Sequence, residues 1–341
     1  MDNYMNEEEL ESEYKKTVGA IDDFRKNVFE QLSNLIISSQ VPLGINLESR
    51  VKDWLSIRNK IERKELKIIT IHDISDLIGF RIILLFKRDL DVVSDIIKKN
   101  FDVISEEDKF DSLEDDKFGY QSRHYIIKVP SAWLKVPSFK PYKNYKAEIQ
   151  LRTLSQHIWA ATSHKLQYKH EDSVPISLRR ALNRASALLE VVDLEFERIL
   201  IGREGYVETL NEKSKSNLTQ DEFLNVDSLK FIADKHLPKE NAKRIEPYDE
   251  LLKELLLNDI TKVDQLAEIL DENKEFYRKK EMDRLHDAMN SSGEDWWTTG
   301  QDEDDTDVRV NRGVFFSHVG LIRVAVEEHI KNLGGKYRRV E

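Results

Sequence analysis

Asp76 and Glu148 are the carboxylates of this sequence best suited to share a metal ion. Asp76 stands just before the apolar, β-prone run Gly79-Phe-Arg-Ile-Ile-Leu-Leu-Phe86. Glu148 belongs to Lys146-Ala-Glu-Ile-Gln-Leu-Arg152, where Glu148, Gln150 and Arg152 alternate with Ile149 and Leu151. Such alternation sends three polar groups to one face of a strand and two apolar ones to the other. A polar row at the heart of an α/β domain costs free energy unless it lines a site. Two carboxylates from separate strands can hold magnesium against substrate phosphates, the arrangement of a metal-assisted phosphoryl or pyrophosphoryl transfer.

Cations and a stacking ring accompany them. The stretch Arg50-Val-Lys52-Asp-Trp-Leu-Ser56-Ile-Arg-Asn-Lys60-Ile-Glu-Arg-Lys64 reads as helical from about Ser49. On a helix, Ser56, Lys60 and Lys64 share one face. Lysines there neutralise a polyphosphate, and arginine can also stack on a purine. In isolation the same stretch is a solvated basic helix. Gly79 permits close backbone approach at the strand entry. In Gly119-Tyr120-Gln-Ser122-Arg-His124-Tyr125, Tyr120 offers a stacking platform for a base, with Ser122 and His124 on the same strand face. Taken singly, Asp76 is also an ordinary turn residue, and the Tyr/His pair also packs on a sheet.

The elements that must position these groups follow from periodicity. Leu10, Tyr14, Val18, Ile21, Phe24, Val28, Leu32 and Ile36 recur at helical spacing over Glu7–Ser39, before Pro42 and Gly44 break the pattern. Strands are expected at 79–86, 101–104, 122–129 and 146–152. Helices are expected at 89–99, 153–168 and 177–200. The interleaving gives an α/β core with a mixed sheet. From Glu106 to Lys117 an acidic loop is expected, and Leu210–Gln220 reads as a polar linker. Beyond it several short helices extend to about Met289, and a last helix covers about Ser317–Leu333. Three parts result: an N-terminal helical segment (1–45), the site-bearing domain (46–202) and a mainly helical C-terminal region (203–341). Between the last two helical stretches, the Trp296-Trp297 pair reads as a core anchor or a docking site.

Bulk composition excludes several classes. With 53 Lys and Arg against 64 Asp and Glu, the net charge is −11, unsuited to nonspecific nucleic-acid binding along the whole chain. Cysteine is absent, which removes disulfides, thiolate zinc sites and cysteine nucleophiles. No basic leader precedes an apolar run, and no apolar stretch reaches about 18 residues. A cytoplasmic protein with no membrane partner is expected.

In order along the chain stand Arg50-x-Lys52-x-x-x-Ser56-x-x-x-Lys60, Asp76-x-x-Gly79-x-Arg81, Gly119-Tyr120-x-Ser122-x-His124, Glu148-Ile-Gln150-Leu-Arg152-Thr153 and Trp159-x-x-x-x-His164-x-x-x-Tyr168-Lys169. This series resembles the RelA/SpoT-type alarmone synthetases over about Arg50 to Lys169. Ser163 departs from the glutamate that many small members carry before the histidine. The resemblance implies a nucleotidyltransferase-like mixed sheet flanked by helices. It implies that Arg50 and Arg81 sandwich the ATP adenine while Lys52, Ser56 and Lys60 hold its phosphates. Asp76 and Glu148 would bind Mg2+, with Glu148 also a candidate base. Tyr120 would stack on the acceptor's guanine, with His124 and Gln150 nearby. The implied reaction moves the β,γ-pyrophosphate of ATP to the 3'-hydroxyl of GDP or GTP, giving (p)ppGpp and AMP. Two alternatives stay open: a toxic member that modifies the 3' end of tRNA and is restrained by the C-terminal region, and a non-catalytic nucleotide sensor. Self-association and a protein regulator acting on the C-terminal region are further expectations. The N-terminal hydrolase of bifunctional members is not expected, since no histidine precedes His72.

Overall fold

A computed structural model describes residues 4–108, 122–166, 175–215, 222–243, 245–291, 309–310 and 312–340. Tyr120, Tyr168, Lys169 and the Trp296-Trp297 pair lie outside the described residues, as does most of the expected acidic loop. The chain forms two compact units, Met1–Ile199 and Leu200–Glu341.

The first unit begins with α1 (Glu7–Ser39), opened by a capping box in which Asn6 accepts from the Glu9 N–H and Glu9 accepts from that of Asn6. Its buried stripe is Leu10, Ile21, Phe24, Val28, Leu32 and Ile36, at the three- and four-residue spacing read from the sequence. Gln40, at φ 58°, ends the helix in the left-handed region. The sheet that follows has the order β1-β2-β5-β4-β3, with β1 Leu43–Val51, β2 Ile78–Leu84, β3 Asp102–Asp108, β4 Arg123–Lys128 and β5 Ala147–Thr153. β2 and β5 run parallel and every other neighbour is antiparallel. The mixed sheet flanked by helices is thus the observed architecture.

One face of the sheet is the core. Phe80, Ile82, Leu84, Ile149, Leu151, Tyr125 and Ile127 are buried in one cluster with the apolar stripe of α1. Leu90, Val93 and Ile97 of α3 (Asp89–Asn100) join it. The opposite face carries the polar members of the same strands, and α4 (Leu154–Lys165) packs along β5 and β2.

Three expectations change. The stretch from Ser49 is not helical at its start: β1 continues through Val51, and α2 (Trp54–Lys64) begins only after Asp53. Asp53 caps that helix by accepting from the Ser56 N–H at 2.9 Å, which fixes the boundary. The expected linker over Leu210–Gln220 is helical as far as Lys215, the end of α5 (Ile176–Lys215), with Leu210 fully buried. In addition β3 runs three residues into the expected acidic loop, because Glu106, Glu107 and Asp108 pair with Tyr125, His124 and Arg123.

The second unit packs α6 (Val226–His236), α7 (Tyr248–Leu257), α8 (Val263–Glu272), α9 (Lys274–Ser291) and α10 (His318–Asn332). Leu229, Ile232, Leu251, Leu255, Leu266, Leu270, Tyr277 and Ile322 form its core. The carboxylate of Glu254, almost fully buried, accepts twice from Arg323 (2.8 and 2.9 Å) and once from the Tyr337 hydroxyl (2.7 Å). Among the described residues no helix is long and apolar enough to cross a membrane.

Candidate active site

The register of the sheet decides which side chains meet. Arg50 of β1 lies opposite Gly79 of β2, and Gly79 lies opposite Glu148 of β5. One step along, Glu48 opposes Arg81, Arg81 opposes Gln150, and Gln150 opposes His124 of β4. Directly opposed residues share a face, so four adjacent strands present one polar row. Above it opens a cavity of about 350 Å3 lined by Glu48, Ser49, Arg50, Asp76, Gly79, Phe80, Arg81, Glu148 and Gln150.

A line of hydrogen bonds crosses the row. Arg81 donates to Glu48 and to the Gln150 carbonyl, both at 3.3 Å. The Gln150 amide donates to Glu148 Oε2 at 2.8 Å. His124 Nδ1 lies 2.9 Å from Glu148 Oε1, and its Nε2 lies 2.7 Å from the hydroxyl of buried Ser122. Burial works against the charge of Glu148, but the hydrogen bond and charge of His124, with help from Gln150, overcome it. The carboxyl is held below its ordinary range, against a smaller opposing push from Asp76. Glu148 is therefore an ionised acceptor whose two oxygens are both oriented.

Asp76 is held from behind. Its Oδ2 accepts from Lys52 Nζ at 2.7 Å and its Oδ1 from Lys60 Nζ at 2.6 Å. Burial opposes this charge too, and the two ammonium groups outweigh it, keeping the carboxyl below the usual range. Lys52 is fixed at its backbone, where its N–H donates to the Leu77 carbonyl (2.8 Å) and its carbonyl accepts from the Tyr14 hydroxyl (3.1 Å). Lys60 projects from α2.

Of the residues expected from the sequence, Arg50, Asp76, Arg81, Glu148 and Gln150 open on one cavity. Lys52, Lys60 and His124 stand one contact back from it. Ser56 is spent on the helix cap, its hydroxyl donating to Asp53 at 2.7 Å. Arg152, the third polar residue of the alternation, is buried and is not among the cavity's liners. Gly79 faces the cavity, and a Cβ there would have only Arg50 Cγ near it, at 3.9 Å. Among the described residues nothing requires that space to be empty, so a side chain would be tolerated there on packing grounds alone. Glu48 was missed. Its signal is the alternation Glu48, Arg50 on a strand, hidden while the stretch from Ser49 was read as helix.

Among the described residues no group of three or more His, Asp or Glu is arranged to hold a metal ion by itself. Two carboxylates beside one cavity nevertheless suit magnesium, which takes one or two carboxylates when substrate phosphates supply other ligands. A larger groove of about 870 Å3, in the second unit, is lined by Leu200, Phe231 and a mixture of charges that includes the Arg203–Asp227 ion pair. It gathers no comparable set of reactive groups.

Cations and carboxylates from adjacent strands of the mixed sheet converge on one cavity. The sequence pattern of the region found in RelA / SpoT proteins matches residues 49–173. GTP pyrophosphokinase YwaC of Bacillus subtilis (strain 168) is 33% identical over 188 residues, covering 53% of this chain and 83% of the relative. GTP pyrophosphokinase YjbM of the same organism is 31% identical over 152 residues, 44% of this chain and 69% of the relative. The crystal structure of small alarmone synthetase 1 from Bacillus subtilis is 26% identical, covers 58% of this chain and 97% of that one, and aligns with a TM-score of 0.45. This chain belongs to the RelA/SpoT family of GTP pyrophosphokinases.

Proposed function

We propose that this protein transfers the β,γ-pyrophosphate of ATP to the 3'-hydroxyl of GDP or GTP. The observation that carries the reading is the one cavity on which Arg50, Arg81 and Glu148 converge from three strands of the sheet, with Asp76 from the turn before β2. Family membership supports the same reaction. In it the acceptor's 3'-oxygen attacks the β-phosphorus of ATP. The bond from that phosphorus to the α-phosphate bridging oxygen breaks, and AMP leaves.

Arg50 and Arg81 would clamp the adenine, since both residues line the cavity and arginine stacks on purines. Lys52 and Lys60 would turn to the phosphates. Ser56 would reach them only by giving up the cap of α2. Glu148, ionised and held by His124 and Gln150, would accept the proton of the attacking hydroxyl. Tyr120 would stack on the acceptor base, with His124 and Gln150 also serving the acceptor. Asp76 and Glu148 would hold magnesium, which when bound neutralises phosphate charge as it builds. Such a transfer depends mainly on position and charge, which the row supplies.

Phosphorus NMR of a reaction with ATP and GDP tests the proposal. A new 3'-pyrophosphate formed with one AMP per turnover is expected. ADP as the nucleotide product would refute pyrophosphate transfer, and turnover retained in both Glu148→Gln and Asp76→Asn would refute the roles of the two carboxylates.

A further inference from the structure

Asp76 is expected to hold a cation, yet both of its oxygens already have one. Lys52 and Lys60 contact Oδ2 and Oδ1 separately, at 2.7 and 2.6 Å. The three side chains are only 14%, 16% and 24% exposed, so water screens the cluster weakly. Two ammonium groups more than cancel one carboxylate. A divalent ion arriving alone would meet an ammonium group on each Asp76 oxygen and would have to displace at least one of them. A polyphosphate changes that balance, because it offers the lysines a partner of higher charge and brings oxygen ligands for the metal. Glu148 is different: its oxygens face His124 and Gln150, and among the described residues no lysine occupies them.

We infer that Lys52 and Lys60 gate Asp76, so that the divalent cation enters with the nucleotide and not ahead of it. The inference rests on the pyrophosphotransfer reading of the site and adds an order of loading to it. The two lysines then act twice: they guard the carboxylate, and they swing to the phosphates as the metal takes their place. Positional evidence favours a swing by side chains alone. The backbone of Lys52 is tied to Leu77 and Tyr14, and Lys60 sits mid-helix in α2.

Free Mn2+ measured by electron paramagnetic resonance, on the full chain and without turnover, tests this. The native protein should bind Mn2+ weakly without nucleotide. A non-hydrolysable ATP analogue should raise that affinity by roughly tenfold or more, within the usual range of coupling between sites, beyond the uptake by analogue alone. Asp76→Asn should remove that gain. Lys52→Met and Lys60→Met, singly and together, should raise Mn2+ affinity in the absence of nucleotide, and Asp76→Asn added to them should cancel the rise. The native-chain comparison stands even where a lysine variant folds poorly. Nucleotide-free Mn2+ binding by the native chain as tight as in folded lysine variants would overturn the gate, as would a nucleotide-dependent gain that survives Asp76→Asn. Because the readout is metal binding, a chain that shows the gate but transfers no pyrophosphate would refute the reaction and leave the gate standing.

Discussion

At the scale of single residues, the account turns on what stands behind each reactive group. Glu148 is ionised because His124 and Gln150 offset the cost of its burial. Removing His124 leaves the burial and takes away the main support, so the carboxyl pKa rises. The acid limb of kcat/KM should accordingly move to higher pH in His124→Ala, measured between about pH 4 and 7; an unmoved limb would separate His124 from the titration of Glu148. Gly79 makes the complementary prediction. With Arg50 Cγ at 3.9 Å the only close atom among the described residues, Gly79→Ala should leave Tm nearly unchanged. Its methyl group enters the cavity and should weaken nucleotide binding by roughly tenfold, the lower end of the effect of one carbon in a close-fitting pocket. Unchanged affinity in calorimetric titration would mean the ligand does not approach that strand.

Elements decide whether these residues meet at all, and the sequence encodes them unevenly. The rows on β2 and β5 were legible because strict alternation has one structural meaning. The start of the basic stretch was not, because Ser56, Lys60 and Lys64 repeat every four residues and nothing in that spacing marks where the helix gives way to the strand ending at Val51. What makes Leu43–Val51 a strand is its pairing with β2, a contact between segments that no local period records. Glu48 was lost with it. The far end of β5 shows an element held by a pin that periodicity also cannot reveal. Buried Thr153 donates to buried Asp193 of α5 at 2.6 Å. Asp193→Ala leaves that hydroxyl without this acceptor and should cost about 1–3 kcal/mol, seen as a lower urea midpoint; an unchanged midpoint would show that the pin does not stabilise β5.

Across the whole molecule, a chain of net charge −11 brings Arg50 and Arg81, with Lys52 and Lys60 paired to Asp76, to one cavity beside the carboxylates of Glu48, Asp76 and Glu148. Asp76, Glu148 and Glu254 share a further property. Each resists protonation despite burial because cations or donors hold it. Carboxyl groups with depressed folded pKa values stabilise the fold above their ordinary range, and that stabilisation is lost as pH falls through the folded values, below about pH 4. The second unit carries the sharpest case. Glu254→Gln leaves Arg323 without its bidentate partner and should cost about 3 kcal/mol, read as lost hydrogen-exchange protection over α7 and α10. Retained protection would show the ion pair to be replaceable. Charge and helix content of this unit could be read from the sequence. The Glu254–Arg323–Tyr337 cluster could not, since its members lie 69 and 83 positions apart.

The central claim concerns where the pyrophosphate goes. The full chain would be incubated with ATP labelled at the β and γ phosphates, in parallel with GDP, GTP and bulk tRNA, and the label followed by chromatography. The account predicts that both phosphates move together to GDP or GTP, with AMP released in equal amount, and that Glu148→Gln abolishes the transfer. Label appearing only in the RNA fraction, or in no acceptor at all, would contradict it.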